Sequence, residues 1–145
     1  MLDHIELFED FEREEIRVLA KFMQVYRVSL GAEIIHEGDA GDYMLLIIDG
    51  EIDIFKNDRG GLRKRIAIVG PGKTLGEMSM IDGQPRFSTC IAATEVTFSM
   101  LTRESLTQII AQHPMLGAKI LMELVVMLSQ RLRQTSEKLV NLLEQ

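Results

Sequence analysis

Asp49-Gly50-Glu51-Ile52-Asp53-Ile54-Phe55-Lys56-Asn57-Asp58-Arg59-Gly60-Gly61 decides the fold. Alternation from Glu51 to Phe55 places Ile52 and Ile54 on one face, the period of a strand. Asn57 to Gly61 then supplies residues that tolerate positive φ, as a hairpin loop requires. A second β-rich run, Arg63–Val69, follows at once, so the stretch reads as two antiparallel strands.

The same texture extends outward over 25–101. Short β-rich runs fall at Val25–Leu30, Glu33–His36, Tyr43–Ile48, Ser88–Ala92 and Glu95–Leu101, with glycines such as Gly31, Gly38, Gly70, Gly72, Gly76 and Gly83 between them. Many short strands separated by turn signals predict a sandwich or barrel. The flanks differ. Phe8, Phe11, Ile16, Leu19, Ala20 and Met23, with charges between them, predict an N-terminal helix over 1–24, for which Asp10 is a candidate N-cap. Beyond residue 101, Thr102 is a candidate N-cap, and Pro114 fits the first position of a last helix running to the end of the chain. Helix, many strands, long helix is an α+β order, and 145 residues suit one domain.

Composition narrows the function. A net charge of −6 offers no footprint for nucleic acid or an anionic membrane. The single cysteine, Cys90, excludes a disulfide framework or a cysteine zinc site, and reads as a small core residue. His4, His36 and His113 lie far apart, so no metal site is expected. No residue set suggests catalysis. With no basic N-terminal leader and no long apolar run, a cytoplasmic location and no membrane partner are expected.

The last helix carries an apolar seam. Leu121, Leu124, Leu128, Leu132, Thr135, Leu139 and Leu142 advance by threes and fours, with Thr135 interrupting the leucines. Val125, Val126, Met127, Val140 and Leu143 widen the apolar surface beyond what docking on one β core needs. The excess predicts a homodimer through this helix.

Chemistry concentrates in 72–89, Gly72-Lys73-Thr74-Leu75-Gly76-Glu77-Met78-Ser79-Met80-Ile81-Asp82-Gly83-Gln84-Pro85-Arg86-Phe87-Ser88-Thr89. Gly76 permits a tight turn and close approach of a ligand. Glu77–Ile81 can form one helical turn whose free N–H groups suit an anion. Arg86, nine residues after Glu77, can reach back across the loop with a guanidinium fork. Phosphate would repel Glu77, so its carboxylate suits sugar hydroxyls instead. Two readings stay open on spacing alone: a site for one sugar phosphate, or an Arg86–Glu77 salt bridge tying down a surface loop.

The chain resembles the cyclic-nucleotide-binding domain family, which includes catabolite activator protein and the regulatory subunits of cAMP-dependent kinase. The resemblance is carried by Gly31, Gly38-Asp39, Asp49-Gly50 and Gly72, by Leu7-Phe8 in the leading helix, and by the cassette Gly76-Glu77-Met78-Ser79 followed by Pro85-Arg86. It implies a single domain over 1–145: an antiparallel β-roll or jelly-roll barrel at 25–101, with an N-terminal helix at 1–24 and C-terminal helices at 102–145. By the resemblance, Arg86 pairs with the cyclic phosphate and Glu77 accepts the ribose 2′-hydroxyl. Backbone N–H groups of Gly76, Met78, Ser79 and Phe87 complete the cradle. Thr135 contacts adenine within its own subunit, and Ser136 reaches in from the partner subunit.

Phe87 departs from the family, which usually has Ala, Ser or Thr after the cassette Arg. It offers only its backbone N–H, which disfavours cGMP, whereas Ser88 is a neighbouring hydroxyl. The resulting expectation is a non-enzymatic regulatory module with no cofactor. It binds cAMP in preference to cGMP and signals to an unnamed downstream protein by moving its C-terminal helix. The alternative is a degenerate fold that no longer binds nucleotide and serves as a dimerising interaction domain. Because the family's DNA-reading element would follow the long helix, no direct DNA binding by this chain is expected.

Overall fold

The computed structural model describes residues 1–144. Eight strands, β1 (Val25–Val28), β2 (Glu33–Ile35), β3 (Tyr43–Asp49), β4 (Ile52–Asn57), β5 (Arg63–Val69), β6 (Thr74–Leu75), β7 (Thr89–Ala92) and β8 (Val96–Thr102), form two four-stranded antiparallel sheets. Their orders are β1-β8-β3-β6 and β2-β7-β4-β5. Four α-helices accompany them: α1 (Arg13–Ala20), α2 (Glu77–Asp82), α3 (Arg103–Gln112) and α4 (Pro114–Leu143). The β-roll expected from the sequence is present, with helices segregated from it.

β3 organises the interior because its apolar run is buried on both faces. Leu45 and Ile47 face the inside of the roll with Ile35, Ile52, Ile54, Cys90, Ala92, Val96 and Phe98. Met44 and Leu46 face the other way and join Leu101, Leu106, Ile109, Leu116, Ile120 and Leu124 in a second core under the helices. The Asn57–Gly61 loop closes as a hairpin: Asp58 N donates to Leu62 O, while Asp58 Oδ1 accepts from Gly60 N and Leu62 N.

The N-terminus corrects the expectation of one helix over 1–24. Two short 3-10 turns, Leu2–His4 and Glu6–Phe8, precede α1. Leu2, Ile5, Phe8 and Phe11 are all buried and stand three residues apart, matching the period of a 3-10 turn rather than 3.6. The N-cap of α1 is Glu12, not Asp10; Glu12 N donates to Glu15 Oε1 at 2.9 Å. Thr102 does cap α3, its hydroxyl accepting from Ser105 N at 2.9 Å, and Pro114 is the first residue of α4.

Candidate functional site

The cassette is built around α2. Gly76 sits before it with φ 80° and Gly83 ends it with φ 72°, both in the left-handed region that a side chain disfavours. Met80 is driven into the helical core, which anchors the six-residue helix and leaves Met78 and Ile81 outward. Gly76 supplies no side-chain cap, so the first N–H groups of the helix have no intrahelical partner.

Arg86 is 4% exposed. Its Nη1 donates to Gly76 O at 3.0 Å and its Nη2 to Tyr43 O at 2.7 Å, while the guanidinium lies 4.5 Å from the Tyr43 ring centre. Two glycines make room for it. A Cβ at position 41 would fall 2.2 Å from Arg86 Nε, and one at Gly76 would fall 2.5 Å from Nη1. The backbone is pinned as well, Arg86 N donating to Asp39 O and Gly38 N to Arg86 O. No carboxylate among the described residues pairs with Arg86. A guanidinium buried without an anion is costly, and its remaining donors suit one.

Glu77 is 3% exposed, and its partner corrects one of the two sequence readings. It does not bridge to Arg86; its Oε1 pairs with Arg131 Nη1 from α4. Its other oxygen, Oε2, is buried with no hydrogen-bond partner. Burial draws Arg131 below its ordinary pKa, and the nearby Glu6 carboxylate works the other way. The structure thus adds Arg131 to the site. The available signal was its place one helical turn before Thr135.

Gly76, Glu77, Met78, Ser79, Arg86, Phe87 and Ser88 line one cavity of about 150 Å³, with Ile35, Leu75 and Cys90. Cys90, buried in its wall, has its thiol pushed up to about 11 by desolvation. Ser88 precedes β7 rather than lying in it. Phe87 is 57% exposed and does not plug the cavity. Lys56 holds it there: Nζ lies 4.1 Å from the ring centre, and donates to Phe87 O at 2.8 Å and Glu37 Oε2 at 3.1 Å.

A second hollow of about 490 Å³ adjoins the first at Leu75, between β5 and α4, with Ile54, Ile68, Met127, Gln130, Arg131 and Gln134 in its walls. Thr135 and Ser136 do not line either cavity within one chain. Thr135 Oγ1 donates to Arg131 O of its own helix at 2.9 Å, and Ser136 lies in a shallow hollow with Leu132 and Arg133. Among the described residues no group of three or more His, Cys, Asp or Glu could hold a metal ion, and no helix is long and apolar enough to cross a membrane.

The roll, the glycine-bounded helix and the separately buried Arg86 and Glu77 are the features of a cyclic nucleotide-binding domain, and the chain belongs to that family: residues 26–113 match the family model described as cyclic nucleotide-binding domain. A cyclic nucleotide-binding domain from Methylobacillus flagellatus KT is similar in structure, with a TM-score of 0.85 and 40% identity, over 96% of this chain and 78% of that one. The catabolite activator protein of Thermus thermophilus gives a TM-score of 0.84 at 28% identity, over 94% of this chain and 62% of its own. A CRP-like cAMP-activated global transcriptional regulator of Mycobacterium tuberculosis is 31% identical over 137 residues, which is 94% of this chain and 59% of the regulator. The chain thus spans about three-fifths of that curated relative.

Proposed function

We propose that this chain is a cAMP-binding regulatory module that prefers cAMP over cGMP and signals through α4. One observation carries the reading: two opposite, unmet demands face the same 150 Å³ cavity. Arg86 is a buried cation without an anion, and Glu77 Oε2 is a buried acceptor without a donor. A ribose cyclic phosphate meets both, its phosphate at Arg86 and its 2′-hydroxyl at Glu77. Arg131 keeps the other Glu77 oxygen, so occupancy of the cavity is felt at α4.

The base extends toward the hollow between β5 and α4. The adenine N6 donor suits a Thr hydroxyl as acceptor, whereas guanine presents an oxygen there. Thr135 and Ser136 point about 100° apart on the helix, so both reach one base only where two copies of α4 meet. The ligand site is therefore shared in a homodimer. The exposed position of Phe87 supports binding over the degenerate alternative, because the ring leaves the cradle open. Calorimetric titration with cAMP and cGMP tests the reading. Saturable binding with cAMP tighter is the expected result, and no heat from either ligand overturns it.

A further inference from the structure

The short helix α2 is held at both ends by guanidinium groups from different elements. At its start, Arg86 Nη1 donates to Gly76 O. At its far end, Arg103 Nε donates to Met80 O at 2.8 Å and Arg103 Nη2 to Ile81 O at 2.7 Å. Those carbonyls carry the negative end of the helix and have no partner within it, so a cation there meets both needs. Arg103 is the first residue of α3, and its own N–H donates to Asp42 O at 2.7 Å. Asp42 adjoins Tyr43, whose carbonyl accepts from Arg86. The two arginines are thus joined by two routes, through α2 and through the start of β3.

From α3 the connection continues without slack. A Cβ on Gly117 of α4 would lie 2.6 Å from Ile110 Cγ1 and 2.8 Å from its Cα, so the two helices touch backbone to side chain at their corner. His113 N donates to Ile109 O at 2.7 Å and Gly117 N to His113 O at 2.9 Å, carrying the bonding across the turn. α3 and α4 therefore respond as one rigid corner.

We propose that Arg103 is a positioning residue that relays occupancy of the cassette to the α3–α4 corner, a route separate from the Glu77–Arg131 pair. The proposal rests on the reading of Arg86 as the phosphate ligand. A phosphate bound through the remaining guanidinium donors draws the Arg86 fork toward itself and away from Gly76 O and Tyr43 O. The two states thus differ in bonds at the start of α2, which is the differential contact a ligand needs in order to shift an equilibrium. α2 is only about 9 Å long, at 1.5 Å per residue, so a shift at its start is felt at its end. There the two Arg103 bonds pass it to α3. Arg103 touches no ligand in this scheme.

The test is hydrogen–deuterium exchange on the full chain and on Arg103→Gln, with and without saturating cAMP, beside calorimetry of both. In the parent, cAMP should slow exchange in α2 and also over 106–117. Arg103→Gln should still bind cAMP, weakened by about two- to thirtyfold, the range in which residues along a coupling route act. Its cAMP-induced protection should stop at α2. A purely structural bond would instead lower the melting temperature of the ligand-free variant and leave the ligand-induced difference at 106–117 intact. That result, or parental affinity with parental protection, overturns the proposal alone. Absence of cAMP and cGMP binding by the parent overturns the site reading and this relay with it. Should Arg103→Gln fail to fold, Arg103→Lys decides: it keeps the charge but cannot span both carbonyls, and should show partial protection at 106–117, whereas full protection overturns the relay.

Discussion

The two adjoining hollows differ in how each is furnished. The smaller is enclosed by α2, the residues before β7 and the buried Arg86 and Glu77, all from one chain. The larger is floored by β5, exposed along nearly its whole length, and roofed by α4 just where that helix leaves its own core. Leu116, Ile120 and Leu124 are buried, whereas Leu132, Leu139, Leu142 and Leu143 further along are exposed. On the proposed reading, the contrast teaches that the half of the site for a charged, sugar-like group is preorganised in the single chain. On the same reading, the half for a flat base lies beside exposed apolar helix surface that a second chain would complete.

The sharpest way to break this contrast is at Arg86. Arg86→Ala should remove a charge-assisted hydrogen bond of about 1.5–3 kcal/mol, lowering cAMP affinity by about ten- to a hundredfold or more. Calorimetry checks it, and unchanged affinity would show that the smaller hollow is not the phosphate site. Next comes Glu77→Ala, which should weaken cAMP by about tenfold yet leave 2′-deoxy-cAMP nearly unaffected, since only the first offers the hydroxyl. Equal losses for the two ligands would remove the ribose assignment.

Leu132→Arg with Leu139→Arg probes the unfinished half. Two charges on that exposed stripe should yield a folded monomer in sedimentation, with cAMP weakened by only about two- to tenfold, the worth of one or two neutral hydrogen bonds. A monomer with parental affinity would make the larger hollow independent of a second chain. The smallest effect belongs to Cys90. Its pKa is raised from 9.0 to about 11 in the folded chain, so folding favours the protonated thiol. That contribution is whole below about pH 9 and is lost as pH rises toward about 11. Urea melts across this interval should slope downward in the parent and less so in Cys90→Ala; identical slopes would place the thiol in a more polar wall than the cavity presents.

Much of this was legible in the sequence, for identifiable reasons. The hairpin at 57–61, the strand Arg63–Val69, the cap at Thr102 and the start at Pro114 are local signals, and local chemistry decides them. The N-terminal segment misled because spacings of three mixed with α1 blurred into one amphipathic pattern. Only the burial of Leu2, Ile5, Phe8 and Phe11 separates the two periods. β6 was missed because two residues, Thr74 and Leu75, carry no periodicity. The clustering of Glu77 and Arg86 was readable, but not their partners. Arg131 and Tyr43 are brought in by the packing of α4 and β3, and the sequence distance between them and the cassette conceals that.

Gly41 carries a consequence for inheritance. A single methyl group at that position would stand 2.2 Å from Arg86 Nε, inside the space the guanidinium fills. A descendant with alanine there would keep every residue by which a reader recognises the cassette, and would have to evict its arginine to fold. If Arg86 is the phosphate ligand proposed above, loss of ligand can thus be written at a silent-looking glycine, in a gene whose signature residues remain untouched.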